Sequence, residues 1–484
     1  MAVVLQNHSD PVHKDSTNRS LGFTPGRPIR RLGLLSPWGG GNLGNSAIIS
    51  AVIFNITKRV SAVEFLGITL NSEQARRRFG IEGFPLTSAA RYDYSRWTPD
   101  GASGLEARPS LRERIKQRLK RISLVRRLLS AARACRHEIA HIVAAARNIR
   151  SLDAVIIPGG GPMDEFWGGT WAHPWNLLKW SVLSRVYGVP FLFVSVGKGS
   201  LERPVSRFFV CIALKLAAYR SYRDPDAKLA AQQLIGASSD PEFPDLAFSY
   251  PAPAIHKRPV VDPRSHQLIV GVSPIAYCDP RVWPISDERR YATYVRRLAE
   301  MVKWLLSQGH RLFFFATDSP DLETVTDLLA QIDDIPRSSD GILTLPGPIE
   351  QSIDGHLEGI GQADLIVASR LHGVILSHLV AVPALALSYD PKVDAQMRIA
   401  KQKAYCLDID NLSLNQFIER FEALNAARVR ESDHLRSLAT LFRQQLDPQY
   451  DEILCLGCRP ENGVRAESRR PALLPQKLGT PDLM

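Results

Sequence analysis

Short apolar segments alternate with segments of helical periodicity along most of this chain. In the first half, the apolar runs predict strands at 31–36, 60–68, 154–157, 191–194 and 221–222. In the second half they predict strands at 268–273, 312–315, 365–368 and 384–387, with clear helices at 288–306 and 320–331. The alternation of strand and helix is typical of parallel sheets with helices on both faces, so we expect an α/β fold.

A proline-rich break divides this pattern into two units. Residues 251–266 carry four prolines and predict a linker. The remaining segments are a polar extension, two domains, C-terminal helices and an Arg- and Pro-rich tail, predicted at 1–27, 28–250, 267–412, 413–450 and 451–484. We expect both extensions to be disordered and the two domains to be Rossmann-like doubly wound sheets facing a cleft.

Composition narrows the class of protein. The chain has 484 residues, of which 45% are hydrophobic and 23% charged, as in ordinary globular proteins. Its longest apolar stretch, 365–389, is interrupted by charged and histidine residues, and the N-terminus lacks a basic, apolar leader. We therefore expect a cytoplasmic protein. Cys455 and Cys458 form a C-x-x-C pair without further zinc ligands nearby, and we interpret them as incidental thiols.

One segment carries most of the net charge of +11. Residues 108–136 hold eleven Lys or Arg and one acid, Glu113. Apolar residues recur there at three- and four-residue spacing, which predicts a basic amphipathic helix inserted at about 108–149. The helix could pack on the core with a solvated basic back, or lie at the inner face of an anionic membrane. Nucleic acid is disfavoured because no aromatic residues are interleaved.

Two glycine loops follow predicted strands. The first, 39–44, matches G-x-G-x-x-G, but Glu64 lies inside the second strand rather than at its end, which argues against a dinucleotide. Asn42, Gly44 and Asn45 could instead form a turn that offers backbone N–H groups to an anion or a sugar, or a merely structural turn. The same alternatives hold for the second loop, in which Gly160 and Gly161 precede Asp164 and Glu165, either of which could bind a sugar hydroxyl.

Arg370 and His372 form the most specific candidate site. They follow the apolar strand at 365–368 and open an apolar helix, so a guanidinium and an imidazole lie together near a helix N-terminus. Arginine binds carboxylate or phosphate in bidentate fashion, and histidine can donate a proton near neutral pH. The alternative is a buried ion pair, for example between Arg370 and Asp364, beside a core histidine.

Two further cations follow strands. Arg223 could be a second anion clamp, or a surface residue beside a helix capped by Asp224. Lys392 follows the last predicted strand and could face the same cleft.

These elements together resemble the polysaccharide pyruvyl transferase family. The resemblance runs from about residue 32 to 392 and rests on Gly-Asn-Leu-Gly-Asn at 41–45, Asp153 with the glycines 159–161, Ser-Tyr-Arg-Asp at 221–224, Asp364 with Ser-Arg-Leu-His-Gly at 369–373, and Ser-Tyr-Asp-Pro-Lys at 388–392. It implies a GT-B-like pair of domains and transfer of the pyruvyl group of phosphoenolpyruvate onto two sugar hydroxyls as a cyclic ketal. It further implies that Arg223 and Arg370 clamp the donor and that His372 is the general acid.

The chemistry of the residues agrees with this reaction. Phosphoenolpyruvate carries a carboxylate and a phosphate, which suit two arginines, and no metal or other cofactor is demanded. The loop at 197–200 matches the family only loosely and 70–150 is variable, so the carbohydrate acceptor is less defined than the donor. Two other functions remain open: a GT-B-type sugar-nucleotide glycosyltransferase, and a non-catalytic, membrane-associated anion-binding protein.

Overall fold

The computed structural model describes residues 29–36, 41–88, 120–253, 267–332, 342–344 and 352–457, with backbone alone in 120–130 and 342–344. The predicted extension at 1–27, most of the predicted linker and most of the predicted tail lie outside these residues. Cys458 and the first twelve residues of the predicted basic helix lie outside them as well.

The N-terminal domain is built on a six-stranded parallel sheet. Its strands are β1 (Arg31–Leu35), β2 (Glu64–Thr69), β3 (Glu82–Pro85), β4 (Ala154–Pro158), β5 (Phe191–Val196) and β6 (Tyr219–Tyr222). They lie in the order β3-β2-β1-β4-β5-β6, which reverses direction beside β1. Such a reversal opens a crevice at the carboxyl ends of the strands.

Helices cover both faces of this sheet. They are α1 (Leu43–Arg59), α2 (Ser72–Phe79), α3 (Lys120–Ile149), α4 (His173–Val186), α5 (Pro204–Leu216) and α6 (Pro225–Ile235). The buried residues of α1 and α2 belong to one apolar core, and those of α3 to α6 belong to a second core on the opposite face. A short 3-10 helix, Leu246–Ser249, follows α6 and packs against α1.

The C-terminal domain repeats the architecture. Its strands are β7 (Ile269–Ser273), β8 (Arg311–Phe314), β9 (Ile342–Thr344), β10 (Leu365–Ala368), β11 (Ala384–Ser388) and β12 (Cys406–Asp408), in the order β12-β11-β10-β7-β8-β9. Its helices are α7 (Glu288–Ser307), α8 (Asp321–Ala330), α9 (Ile353–Gly361), α10 (Leu371–Leu379) and α11 (Pro391–Ile399). The predicted α/β class with two doubly wound sheets is confirmed.

A last helix, α12 (Leu414–Gly457), begins on the C-terminal domain and ends on the N-terminal one. The Nε2 atom of Gln449 donates to Ser221 Oγ at 2.7 Å, and Ser195 Oγ donates to Gln449 Oε1 at 3.0 Å. The hydroxyls of Tyr450 and Ser249 lie 2.7 Å apart. The chain therefore connects the two domains a second time.

Some element boundaries differ from the prediction. No element was predicted in the region 70–107, but its described part contains α2 and β3, and the predicted strand at 60–68 begins at Glu64. The predicted C-terminal helices form one continuous helix that runs to Gly457, beyond the expected tail boundary at 451, because Tyr450, Ile453 and Leu454 are buried. None of the described helices has an apolar stretch long enough to cross a membrane.

Candidate active site

A cavity of about 710 Å³ lies where the carboxyl ends of the two sheets face each other. Nine of the ten predicted site residues line it, namely Asn42, Asn45, Gly160, Gly161, Asp164, Arg223, Arg370, His372 and Lys392. Gly44 is the exception. The loops that follow β4 and β6 of one sheet thus meet those that follow β10 and β11 of the other.

The first glycine loop joins the two domains. Leu43 N–H donates to Thr317 O at 2.8 Å, and Ser319 N–H donates to Gly41 O at 2.9 Å. The Asn42 side chain caps α1 by accepting from Asn45 N–H at 2.9 Å. The backbone N–H of Asn45, which was predicted to be offered to an anion or a sugar, is therefore already bonded within the protein, as is that of Leu43.

Gly44 determines where His372 can lie. A Cβ atom at Gly44 would overlap the imidazole of His372, so only glycine lets this ring pack against the first turn of α1. The ring is also in the first turn of α10. Two helix N-termini therefore lie beside His372, and both favour negative charge there.

The protonation of His372 depends on its surroundings. Burial lowers its pKa to about 4, and the positive charges of Arg223, Lys392 and Arg370 add to the effect, whereas Asp245 opposes it. Nε2 is buried and has no hydrogen-bond partner among the described residues. With this pKa the imidazole is neutral at neutral pH, which differs from the protonated acid that the sequence suggested.

Arg370 is held by two carboxylates. Nε and Nη2 donate to the buried Asp321 at 2.7 and 2.8 Å, and Nη1 lies 3.2 Å from Asp318 Oδ2. The proposed partner Asp364 is wrong, since its carboxylate accepts from Ile269 N–H at 2.8 Å. Burial raises the pKa of Asp318 to about 6, against the opposing effect of Arg370.

Arg223 is buried, so its interpretation as a surface residue is wrong. Nη1 lies 3.2 Å from Asp245 Oδ2 and Nε lies 3.4 Å from Asp224 Oδ2, while Asp224 caps α6 as predicted. Nη2 makes no hydrogen bond to the described part of the chain. A Cβ atom at Gly197 would overlap this nitrogen, so Gly197 makes room for the guanidinium.

Lys392 and Asp164 complete the charged lining. Lys392 Nζ lies 3.3 Å from Asp390 Oδ2 and 5.0 Å from the centre of the Tyr389 ring. Burial raises the pKa of Asp164, although the charge of Lys392 opposes this. Gly199 leaves the space that the Asp164 carboxyl occupies.

Four other cavity residues were missed by the sequence reasoning: His173, Asn176, Trp167 and Trp283. Neither ring nitrogen of His173 nor Oδ1 of Asn176 has a hydrogen-bond partner in the described ranges, and burial lowers the pKa of His173 to about 4. The rings of Trp167 and Trp283 meet across the domains at 5.6 Å. The clustering of Trp and His between 163 and 176 was the available signal.

The comparison with family models decides between the possible affiliations. The model described as polysaccharide pyruvyl transferase matches residues 42–391, which include every predicted site residue except Lys392. The chain belongs to the polysaccharide pyruvyl transferase family. It is thus a member of a family of transferases. A comparison with curated protein sequences gave no match.

Solved structures share the fold at low identity. A protein described as a UDP-N-acetylglucosamine 2-epimerase from Listeria monocytogenes has a TM-score of 0.51 at 10% identity, covering 88% of this chain and 95% of that one. A UDP-GlcNAc 2-epimerase from Methanocaldococcus jannaschii gives 0.46 at 12%, covering 82% and 92%. The ADP-heptose heptosyltransferase II of E. coli gives 0.36 at 12%, covering 82% and 99%. The first likeness supports the GT-B-like arrangement of the two domains.

Proposed function

We propose that this protein transfers the pyruvyl group of phosphoenolpyruvate onto two hydroxyls of a carbohydrate acceptor and forms a cyclic ketal. The observation that carries the proposal is the convergence of Arg223, Arg370, Lys392 and His372 on one cavity in a member of this family. Three cations can hold the carboxylate and the phosphate of the donor, and the imidazole can supply a proton.

The donor would bind to the nitrogen atoms of these cations that can still donate a hydrogen bond. Arg223 Nη2 has no partner in the described chain, and Lys392 Nζ is held by one carboxylate at 3.3 Å. Arg370 is held in bidentate fashion by Asp321, which fixes its orientation and leaves Nη1 shared with Asp318. A donor oxygen can replace Asp318 at that nitrogen, especially when Asp318 is protonated.

The donor would also activate His372. Its pKa is lowered by burial and by three neighbouring cations. An anionic ligand compensates these charges, so binding raises the pKa and the imidazole takes up a proton when the donor is present. It then donates this proton to the methylene carbon of the donor, which becomes a methyl group.

The remaining steps balance without a cofactor. Protonation leaves a positively charged C2 centre, which the first sugar hydroxyl attacks with loss of its proton. The second hydroxyl attacks the same carbon and gives its proton to the departing phosphate, which leaves with the electron pair of the C–O bond that breaks. His173 and Asn176 lie in the same cavity with unpartnered polar atoms and can hold the acceptor hydroxyls.

Ligand-induced stabilisation tests this proposal against the alternatives. Phosphoenolpyruvate should raise the melting temperature of the purified full chain, by the equivalent of about 2.7 kcal/mol at a hundred times its Kd. Sugar nucleotides should not. With a carbohydrate acceptor, the enzyme should release phosphate and produce a ketal methyl signal in the NMR spectrum of the product.

Arg223→Lys provides the matched variant. A point charge cannot replace the guanidinium fork, so kcat/KM for the donor should fall about 10-fold or more. Arg296→Lys on the exposed face of α7 should leave it unchanged. Stabilisation by sugar nucleotides alone would favour a glycosyltransferase, and stabilisation by neither ligand would favour a non-catalytic protein.

A further inference from the structure

We infer that the outward face of α3, α4 and α5 is a docking surface for an anionic membrane. Large apolar side chains that no other described part of the chain covers are concentrated on this face. We call them the apolar patch: Ile139 and Val143 of α3, Val182 and Val186 of α4, and Val205 and Phe208 of α5. Exposed fractions reach 67% for Val186 and 59% for Phe208. Soluble proteins rarely expose contiguous apolar surface of this kind without a partner.

The three helices form one continuous layer. The buried residues of α3, α4 and α5 all face the same side of the N-terminal sheet, so their exposed sides point together away from it. Trp175 Nε1 donates to Glu138 Oε1 at 2.8 Å and thereby ties α4 to α3. Phe209 packs against Trp171 and Trp175 at 5.5 and 5.7 Å, which ties α5 to α4.

The charge of this layer selects an anionic partner. The helices α3, α4 and α5 carry seven, two and two Lys or Arg residues, and between them one acid, Glu138. Glu138 is buried and paired at 3.1 Å with Lys179, which is buried as well, so these two charges cancel in the interior and the remaining Lys and Arg residues of the three helices are not offset by an acid. Apolar side chains ringed by cations fit the interface of a bilayer that contains anionic lipid. A second copy of the same basic face would be repelled.

The apolar patch also adjoins the cavity. The segment that follows β4 contributes Trp167 and His173 to the cavity, and Trp171 between them packs against Phe209, the neighbour of Phe208 in the patch. A docked molecule would therefore hold the cavity close to the bilayer surface, within reach of a carbohydrate on a lipid carrier. This consequence, unlike docking itself, rests on the proposed function.

Vesicle flotation tests the docking. The full chain should bind phosphatidylglycerol–phosphatidylcholine vesicles at low salt and should bind pure phosphatidylcholine vesicles at least about 10-fold more weakly. The triple variant Val182→Ser, Val186→Ser, Phe208→Ser should bind the anionic vesicles about 10-fold or more weakly, because it removes the apolar contact. The triple variant Arg185→Gln, Arg207→Gln, Lys215→Gln should lose about 100-fold, and 0.5 M salt should abolish the difference.

Val429→Ser with Leu441→Ser is the matched control, since both residues are exposed and apolar but lie on α12. It should bind vesicles like the wild type, and all variants should keep the melting temperature within a few degrees. Absence of vesicle binding by the wild-type chain, or equal loss in the control, would overturn the inference. If the wild-type chain forms a dimer that the patch variants dissociate, the face binds a second copy of the chain instead. If α4 is protected from hydrogen exchange and this protection is lost when residues 89–119 are deleted, the face is covered by this chain itself.

Discussion

His372 lies beside Arg223, Arg370 and Lys392, with Asp245 as the opposing charge. Its ring is available to a ligand because Nε2 has no partner in the described chain. The same three cations that lower its pKa are those that an anionic donor would engage. Under the proposed function, donor binding and protonation of the imidazole would therefore be coupled.

His372→Asn tests this coupling. The variant should bind phosphoenolpyruvate to within a few-fold, while kcat falls by about 10²–10⁴, the usual contribution of a general acid. Because the reaction needs the protonated ring, wild-type kcat should fall as the pH rises through the pKa of the donor complex, and this limb should vanish in the variant. Near-normal turnover in His372→Asn would place the acid elsewhere.

Gly44→Ala tests the fit of the ring. The added methyl group overlaps the imidazole, so His372 must move, and kcat should fall about 10-fold or more with the fold retained. Gly355→Ala is the control, because its nearest neighbour, Ser352 Cβ, would be 4.0 Å from the new Cβ in α9. Steady-state kinetics and circular dichroism distinguish the two, and unchanged kcat in Gly44→Ala would show that the ring position is not limiting.

At the scale of the element, the C-terminal end of α12 completes the N-terminal domain. Gln449→Ala leaves the buried hydroxyls of Ser195 and Ser221 without this partner and should lower the free energy of unfolding by about 1–3 kcal/mol. Gln445→Ala, on the exposed side of the same helix, should change it by less than about 0.5 kcal/mol. Urea denaturation measures both, and equal effects would contradict the buried role of Gln449.

The strands that are buried on both faces could be predicted from the sequence. Leu365–Ala368 is an uninterrupted apolar run between polar residues, and its bounds agree with the prediction. The helix Ser72–Phe79 could not be predicted from the sequence, because only Ala75 is buried and three arginines lie in its last turn. No apolar periodicity remains in such a segment, and its position follows from packing beside β3.

The site residues that could be predicted from the sequence are charged or histidine residues that directly follow an apolar strand. Arg370, His372 and Lys392 each follow an apolar strand, and each lines the cavity. Their ion partners were not predictable, since Asp321 lies 49 residues before Arg370 and approaches it only through the pairing of β7 with β8 and β10.

At the scale of the whole molecule, Asp318 joins the domains and adds a negative charge to the cavity. Asn42 Nδ2 donates to Asp318 Oδ2 at 3.1 Å across the cleft. Burial raises the pKa of Asp318 from its ordinary value of 3.8 to about 6. Between these two pH values the carboxyl is protonated in the folded protein and charged in the unfolded chain. Its contribution to stability is therefore complete at low pH and is lost as the pH rises through about 6.

Asp318→Asn should bind phosphoenolpyruvate more tightly at high pH. The amide keeps the contact with Asn42 but removes the charge that competes for Arg370. By isothermal titration calorimetry, the variant's affinity should exceed that of the wild type several-fold at pH 8 and match it near pH 5. The comparison within each pH cancels the titration of the donor itself, and equal affinities at pH 8 would contradict this role.

Because α12 ends against β5 and β6, the N-terminal domain is not one contiguous piece of sequence. On the ribosome, the strand Tyr219–Tyr222 is made roughly 230 residues before Gln449, a delay of about 10–45 s at 5–20 residues per second. During this interval the hydroxyls of Ser195 and Ser221 lack their hydrogen-bond partner Gln449, and the incomplete domain is accessible to chaperones and proteases. Recombination between related genes within the proline-rich linker would separate the N-terminal domain from the end of α12 that completes it. A functional chimera must therefore take the last turns of α12 from the same parent as the N-terminal domain.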